Sequence, residues 1–286
     1  LMERNGELVQ GKGFCVDDFT TEAMSFIERS VKKDKPFFAY VPYNTPHSPM
    51  QVPDRWWNKF KDMNLEDMMR NRNPNKEDRL HLLAALAMCE NIDWNVGRLL
   101  KKLDQLNVTD DTIVVFFHDN GPNGTRWNGD MEGRKGSTEE GGTRSPLLIK
   151  WPKGIKAGTE VMPITSVRDL LPTLCELAGV KQRPLKVIDG QSLKPLLSGN
   201  TKGWKTRTLV STWKGKLGVR DQRFRLGYKG KLFDMEKDPG QRVDVSKQFP
   251  KVTERLNQRK ESFQKKVLEQ IGPDERPFVI GHPAVS

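Results

Sequence analysis

Apolar residues recur every three or four positions in several segments of the chain, which is the spacing of an amphipathic helix. Helices are predicted over 20–33, with Thr20 or Thr21 as the N-cap, and over about 77–103. A third helix is ended by Gly179, and its apolar face comprises Leu170, Leu171, Leu174 and Leu177. A closing helix near the C-terminus is expected to bury five side chains: Val252, Leu256, Phe263, Val267 and Ile271.

Continuous apolar runs predict strands over 37–41, 112–117 and 147–151. The run 112–117 has no polar residue after Thr112, which indicates a strand buried on both faces of a parallel sheet. Four short runs broken by glycine predict a small antiparallel sheet, at 208–212, 217–220, 224–228 and 232–233. The alternation of strands and helices is typical of a layered α/β core. We therefore expect the core over 1–185 and a small α+β subdomain over 186–286.

The composition is that of a polar globular protein. The chain has 286 residues, of which 35% are hydrophobic and 30% charged, and its thirteen Phe and seven Trp can anchor a core. No run approaches the roughly 18 apolar residues of a transmembrane helix, so no membrane span is expected. No signal peptide pattern opens the chain, and its start at Leu1-Met2-Glu3 predicts a fragment of a longer protein.

The net charge is 48 − 37 = +11, which favours contact with polyanions, although a solvated basic surface has the same composition. No nucleic-acid reading module is visible, so nucleic acid is not an expected partner. The three cysteines are far apart and form no CxxC pair, which argues against a zinc ribbon and a disulfide framework. They are Cys15, Cys89 and Cys175.

Two loops that follow predicted strands carry candidate chemistry, at the strand ends where open α/β sheets bind ligands. The loop after 37–41 contains His47 between Pro46 and Pro49, which would hold the histidine in a stiff segment. After 112–117 come Asp119 and Asn120, whose oxygens suit a hard cation such as calcium. A surface histidine and an ordinary Asp-Asn-Gly turn are the alternatives.

A third candidate is the glycine-rich segment from Gly133 to Arg144. Its glycines would let the backbone approach a ligand closely, and Lys135 and Arg144 could neutralise a tetrahedral oxyanion. The alternative is a solvated basic loop. The length and internal order of the segment favour a ligand site.

Taken together and in this order, the three segments resemble the sulfatase family of the alkaline-phosphatase superfamily. Gly97-Arg98-Leu99-Leu100 at the end of the long helix and the stretch 232–240 are also similar to sulfatases. The resemblance extends from about Phe14 to Val267. It implies part of an alkaline-phosphatase-like α/β core, followed by a small C-terminal antiparallel sheet and a closing helix.

The resemblance also implies an activity, namely calcium-dependent hydrolysis of a sulfate monoester by a formylglycine nucleophile. By position, Asp119 and Asn120 match two calcium ligands. Lys135 matches the lysine that contacts the substrate sulfate, and His47 matches the histidine near the leaving oxygen. His118 departs from the small hydroxyl residue usual before Asp-Asn-Gly, and no role is assigned to it.

No cysteine of the chain lies in the Cys-x-Pro/Ala-x-Arg motif that yields formylglycine. The resemblance therefore implies the C-terminal part of a sulfatase. Its partner would be the N-terminal part of the same protein, which would carry the nucleophile and further calcium ligands. We expect the chain alone to be inactive, its substrate to be a small aryl sulfate or a sulfated glycan, and its compartment to be periplasmic, secreted or lysosomal.

Two other functions remain open from the sequence. A phosphatase or phosphodiesterase of the same superfamily with two zinc ions needs several His and Asp ligands. The chain has four histidines, and an Asp-Asn pair suits one oxygen-loving ion better than zinc. The other alternative is a non-catalytic fragment that binds polyanions through its positive charge.

Overall fold

The computed structural model describes residues 2–65, 77–181 and 187–271. Contacts divide the chain into two compact units. The first comprises Leu1–Asp130, Ser145–Glu160 and Leu197–Gly199, and the second comprises Met131–Arg144, Val161–Leu196 and Asn200–Ser286. The boundary predicted near residue 185 stays a prediction.

The first unit opens with a hairpin of β1 (Met2–Arg4) and β2 (Glu7–Val9). Three helices follow, and both α1 (Cys15–Lys32) and α2 (Asp54–Phe60) pack on the long α3 (Arg79–Gln105). The contact with α2 is apolar, and its cluster comprises Leu65, Leu82 and Leu83 with Trp57, Phe60, Met63 and Leu86.

A polar contact joins α1 to α3. The Asp17 carboxylate on α1 accepts hydrogen bonds from the side-chain amides of Asn91 and Asn95 on α3, both at 2.8 Å. Asn91 and Asn95 are fully buried, so these bonds satisfy groups that would otherwise lose their hydration. The pairing fixes how α3 is rotated against α1.

The helix predictions are confirmed for α1 and α3, with one correction at the start of α1. Neither Thr20 nor Thr21 caps the helix, because the helix begins five residues earlier at Cys15 after Phe14. The Thr20 hydroxyl instead donates to the carbonyl of Val16 at 2.7 Å within the helix. In α3 the N-cap is Asp78, whose carboxylate accepts from the backbone N–H of His81 at 3.0 Å.

The strand predicted over 37–41 is wrong. The segment is irregular, and Phe38 and Tyr40 are 76% and 70% exposed. A strand needs a hydrogen-bonded neighbour, and no strand of the described ranges pairs with these residues. The sequence pattern therefore identified the apolar run, but it could not show that no described strand pairs with it.

The strands β3 (Val114–Phe117) and β4 (Leu147–Lys150) form a two-stranded antiparallel sheet, with Val114 opposite Lys150 and Phe117 opposite Leu147. Both strands were predicted. The parallel sheet expected for 112–117 is corrected to an antiparallel pair, and β3 is half-buried along its length rather than buried on both faces. The reason is that the described residues supply β3 with a neighbour on one edge only.

The second unit is built on an antiparallel sheet in the order β5 (Leu209–Trp213), β6 (Lys216–Arg220), β7 (Phe224–Leu226) and β8 (Leu232–Asp234). The helix α7 (Pro250–Phe263) packs on β6 and β7. The apolar core of this unit comprises Val219, Phe224, Leu226, Leu232, Val245 and Leu256. This sheet was predicted from the four glycine-broken runs.

The described residues also form three shorter helices: α4 (Glu140–Thr143), α5 (Leu170–Leu177) and α6 (Lys194–Leu197). The predicted end of α5 at Gly179 is confirmed, since this glycine has a φ of +68° just after the helix. A buried ion pair holds the start of α5, where both terminal nitrogens of Arg207 donate to the carboxylate of Asp169.

The closing helix is confirmed, but its predicted buried face is only partly correct. Leu256 is fully buried and Val252 packs beside it. Beyond α7 the chain continues as a π-helical turn (Gln264–Leu268) and α8 (Glu269–Ile271), where Val267 and Ile271 are exposed. The helical period continues past the region in contact with the sheet, so the same apolar spacing there has nothing to pack against. No helix in the described part of the chain is long and apolar enough to cross a membrane.

Candidate functional site

Lys135 lies in a tight turn of the second unit. The backbone N–H of Ser137 donates to the carbonyl of Arg134 at 3.0 Å, which places Lys135 and Gly136 at the two central positions of the turn. Gly136 has a φ of +81°, which glycine adopts without strain at the third residue of a type II turn. The Lys135 side chain is half-buried, and its ammonium group has no ion pair with any described residue. The turn therefore presents an uncompensated positive charge.

Gly142, the second residue of the Gly141-Gly142 pair, packs closely against this turn. A Cβ on Gly142 would lie 2.5 Å from the carbonyl oxygen of Arg134 and 2.6 Å from that of Ser137. These distances are shorter than any van der Waals contact, so a side chain there would displace the turn. The close backbone approach predicted from the glycines therefore occurs within the segment, between Gly142 and the turn that contains Lys135.

The segment is fastened to the sheet by Arg225 of β7. Its guanidinium donates through Nε and Nη2 to one carboxylate oxygen of Glu140, at 3.1 and 2.7 Å, and through Nη1 to the carbonyl of Thr138 at 2.6 Å. Arg225 is 3% exposed and Glu140 6% exposed. A buried pair with these additional hydrogen bonds holds its geometry strongly, because losing one partner would leave a buried unpaired charge.

The electrostatics keep Glu140 ionised. Burial alone would raise the pKa of Glu140, but the positive charges of Arg225 and Arg220, with the hydrogen bond from Arg225, bring the pKa below its ordinary value. The Nε of Arg220 lies 3.4 Å from the same carboxylate oxygen.

A second fastening comes from Gln241, which lies in the loop after β8. Its side-chain oxygen accepts from the backbone N–H of Glu140 at 3.0 Å, and its amide nitrogen donates to the Glu139 carboxylate at 2.6 Å. The sequence analysis missed Glu140, Arg225 and Gln241. Glu140 stands in the glycine-rich motif, but its partners are 85 and 101 residues away, and one sequence holds no signal for such a pairing.

His47 lies on an exposed loop of the first unit, between α1 and α2. The loop is attached to α1 by a hydrogen bond of 2.7 Å between the hydroxyls of Tyr43 and Thr20 and by a contact of 3.3 Å from the Cys15 thiol to the Asn44 side chain. The imidazole Nδ1 is 2.8 Å from the carbonyl oxygen of Ser48. Because a carbonyl only accepts, Nδ1 carries a proton and Nε2 is the nitrogen left for other chemistry. The peptide bonds before Pro46 and Pro49 are cis.

Asp119 and Asn120 come just after β3 in the first unit, separated from the strand by His118. The turn is tied to the approach to β4, since the hydroxyl of Ser145 donates to the carbonyl of His118 at 2.8 Å. Asp119 is exposed, and its carboxylate has no hydrogen bond or ion pair with the described residues. The His118 ring packs edge-on against Phe116, with the ring centroids 5.4 Å apart, which is a packing role.

The donor set at this turn suits calcium in kind but not in number. A carboxylate and an amide oxygen are hard ligands, yet calcium takes six to eight oxygens. Within 2–65, 77–181 and 187–271, no group of three or more His, Cys, Asp and Glu side chains could hold a metal ion. These two residues could therefore supply only part of a calcium site.

The four predicted site residues divide between the units. His47, Asp119 and Asn120 belong to the first unit and Lys135 belongs to the second. Asp119 and Asn120 are adjacent, whereas no hydrogen bond among the described residues joins either of them to His47. The roles assigned to the four residues stay predictions.

Family models match most of the chain. The model described as Sulfatase matches residues 2–180, which include His47, Asp119, Asn120 and Lys135. The chain belongs to the sulfatase family. The family model described as N-sulphoglucosamine sulphohydrolase, C-terminal, matches residues 135–266, which hold the β5–β8 sheet and most of the closing helix.

Curated sulfatases are similar over parts of their length. Steryl-sulfatase of Mus musculus is 41% identical over 121 residues, covering 39% of this chain and 19% of its own length. Arylsulfatase H of Homo sapiens is 32% identical over 212 residues, covering 70% of this chain and 34% of its own. The chain thus spans about a fifth to a third of the length of the curated sulfatases that it matches.

Solved structures establish the fold. Ps i-CgsB in complex with k-i-k-neocarrahexaose is 30% identical, with a TM-score of 0.79, and the match covers 91% of this chain and 57% of that one. The predicted fold class is confirmed: the chain has the α/β, alkaline-phosphatase-like fold of the sulfatases, with a small antiparallel C-terminal sheet. As a sulfatase it belongs to a family of sulfuric ester hydrolases.

Proposed function

We propose that this chain is part of a sulfatase that hydrolyses a sulfate monoester to an alcohol and inorganic sulfate. The observation that carries the proposal is the uncompensated ammonium group of Lys135, in a turn fixed by the buried Glu140–Arg225 pair. A cation held without its own counter-ion is prepared to bind an anion. The family membership supports a sulfate group as that anion.

The chemistry needs a positive charge and a proton. Negative charge on the non-bridging sulfate oxygens opposes attack at sulfur, and Lys135 offsets it by electrostatic stabilisation. As the S–O bond to the alcohol breaks, the departing oxygen needs a proton, for which His47 is our candidate. Since Nδ1 of His47 is engaged with the carbonyl of Ser48, the proton would come from Nε2 of the imidazolium form.

The rest of the proposal concerns a calcium ion, the nucleophile and the location of the protein. Asp119 and Asn120 would supply two oxygens to a calcium ion, and this ion, when bound, would polarise oxygens at the reaction centre as a Lewis acid. A formylglycine nucleophile and the other calcium ligands would come from an N-terminal part of the same protein. A periplasmic, secreted or lysosomal location is part of the same proposal.

The decisive experiment replaces Lys135 in the full-length protein. In Lys135→Ala we expect kcat/KM for an aryl sulfate to fall by about 100-fold or more, because removal of one donor to developing charge costs about 2.7–4 kcal/mol. Both KM and kcat should suffer, since the ammonium group would bind sulfate in the ground state as well.

The matched control is Arg134→Ala, which removes a charge from the neighbouring exposed residue and should leave kcat/KM within about threefold. An aryl phosphate serves as the second substrate. Faster turnover of the phosphate than of the sulfate by the wild-type protein would favour the phosphatase alternative. Equal losses in Lys135→Ala and Arg134→Ala would show that Lys135 has no specific role.

A further inference from the structure

Two turns of the C-terminal sheet carry aromatic and basic side chains beside the Lys135 segment. The β5–β6 hairpin has Trp213 and Lys216 at the two sides of its tip, which are opposite each other in the strand register. The turn between β7 and β8 carries Tyr228 and Lys229. We name these four residues the basic–aromatic surface.

Both turns lie against the segment that holds Lys135. A Cβ on Gly136, the residue after Lys135, would be 3.4 Å from the indole nitrogen of Trp213. On the other turn, a Cβ on Gly227 would be 3.5 Å from the Glu139 carboxylate. The basic–aromatic surface therefore continues directly from the turn that presents the Lys135 ammonium.

Both lysines of this surface lie beside the ring of Tyr228. The ammonium nitrogens of Lys216 and Lys229 lie 5.0 and 5.6 Å from the ring centroid of Tyr228, so two like charges are gathered at one ring. Neither lysine forms an ion pair in the described part of the chain. The cation–π contacts stabilise both ammonium groups, and an anionic ligand bound beside this ring would be attracted to both charges.

The Trp213 side chain adds an aromatic surface on which an uncharged sugar ring can pack. It is half exposed although it is among the largest apolar groups of the unit. An exposed indole with an apolar face and an N–H donor packs well on the C–H face of a sugar and can hydrogen-bond to its hydroxyls. An aromatic platform beside paired cations thus matches a sugar chain that carries anionic substituents.

We propose that the basic–aromatic surface binds the sugar residues next to the scissile sulfate, so that the substrate class is a sulfated oligosaccharide rather than a small aryl sulfate. The inference rests on the proposed function, because Lys135 must hold the scissile sulfate for the surface to hold its neighbours. A small aryl sulfate would reach Lys135 without occupying Tyr228, Lys216 and Lys229.

The test compares two substrates in the full-length protein. In Lys216→Ala/Lys229→Ala, the ratio of kcat/KM for a multiply sulfated hexasaccharide to kcat/KM for 4-nitrophenyl sulfate should fall about tenfold, or about 1.4 kcal/mol. Trp213→Ala should lower the same ratio. The control Lys247→Ala/Lys251→Ala removes two exposed lysines of the same unit and should leave the ratio unchanged. An unchanged ratio in both surface variants would overturn the proposal.

Affinity electrophoresis in gels that contain the sulfated polysaccharide separates this proposal from the proposed function. If the wild-type protein hydrolysed neither substrate, the proposed function would fail. Loss of retardation in Lys216→Ala/Lys229→Ala but not in the control would then still support an anionic-glycan site here. Equal retardation of the wild-type protein and of both lysine variants would overturn the surface itself.

Discussion

Arg225 and Lys135 are cations of the same unit in opposite electrostatic settings. Arg225 is buried and makes four hydrogen bonds, to Glu140, Thr138 and Thr143. Lys135 is half-buried and is paired with no described residue. The first arrangement fixes backbone, whereas the second leaves a charge available for a ligand. This contrast explains why the cation that stabilises the fold, Arg225, differs from the cation predicted to bind a ligand, Lys135.

At the same scale, His47 is expected to act on the leaving group. In the full-length protein, His47→Ala should lower kcat mainly, and more for alkyl sulfates than for activated aryl sulfates, because a poor leaving group depends more on receiving a proton. Steady-state kinetics over a series of leaving groups measures this. His118→Ala, another exposed histidine, is the control and should change kcat by less than about twofold. The same loss for every leaving group would mean that His47 only binds sulfate.

Asp119 is expected to bind calcium. Replacing Asp119 with Ala in the full-length protein should abolish tight calcium binding and activity, since one hard anionic oxygen is lost from a site that needs several. Metal content after gel filtration and titration of activity with calcium measure the effect. Asp62→Ala, which removes an exposed carboxylate elsewhere in the first unit, should retain both. Normal calcium content and turnover in Asp119→Ala would exclude the assignment.

The candidate residues could be read from the sequence because each stands in a compact motif, and the three motifs occur in a recognisable order. The residues that hold Lys135 in place could not. The Glu140–Arg225 pair joins residues 85 positions apart, and nothing local in the sequence indicates which arginine meets which carboxylate.

Among the elements, the pattern of apolar residues predicted the helices better than the strands. A helix satisfies its backbone hydrogen bonds internally, so the period in α3 suffices to identify it. A strand depends on a partner, which explains why 37–41 has the composition of a strand and not its pairing. The beginning of α1 was missed because Phe14 offers no capping side chain.

The buried pair that joins α4 to β7 leads to a prediction about stability. Arg225→Ala should lower the free energy of unfolding by about 3 kcal/mol, because it leaves Glu140 buried with only the longer contacts to Arg220 and Arg144. Urea denaturation followed by circular dichroism measures the loss. The control Arg255→Ala breaks an ion pair with Asp221 whose arginine is 53% exposed, and it should cost less than about 1 kcal/mol. Similar losses in the two variants would show that the buried pair holds the segment no more firmly than a surface contact.

For the whole molecule, the chain is shorter than the sulfatase structure that it matches. Its match covers 57% of the length of Ps i-CgsB but 91% of its own. In the proposed function, the chain contributes two oxygen ligands, from Asp119 and Asn120, and one sulfate-binding cation, from Lys135. In the same proposal, the remaining calcium ligands and the nucleophile would come from another part of the same protein.

The purified 286-residue chain should therefore hydrolyse no aryl sulfate, however well it folds. Two ligands leave calcium far short of the six to eight oxygens it requires, so binding measured by calorimetry should be weak. None of Cys15, Cys89 and Cys175 stands in the motif that yields formylglycine. The apolar strand β3, with one edge unpaired in the described structure, should also make the isolated chain prone to associate. Adding the N-terminal part of the same protein by co-expression should restore turnover and tight calcium binding together, and an unrelated protein of similar size should restore neither. Metal-dependent turnover by the chain alone would contradict the assignment and require a nucleophile among its own residues.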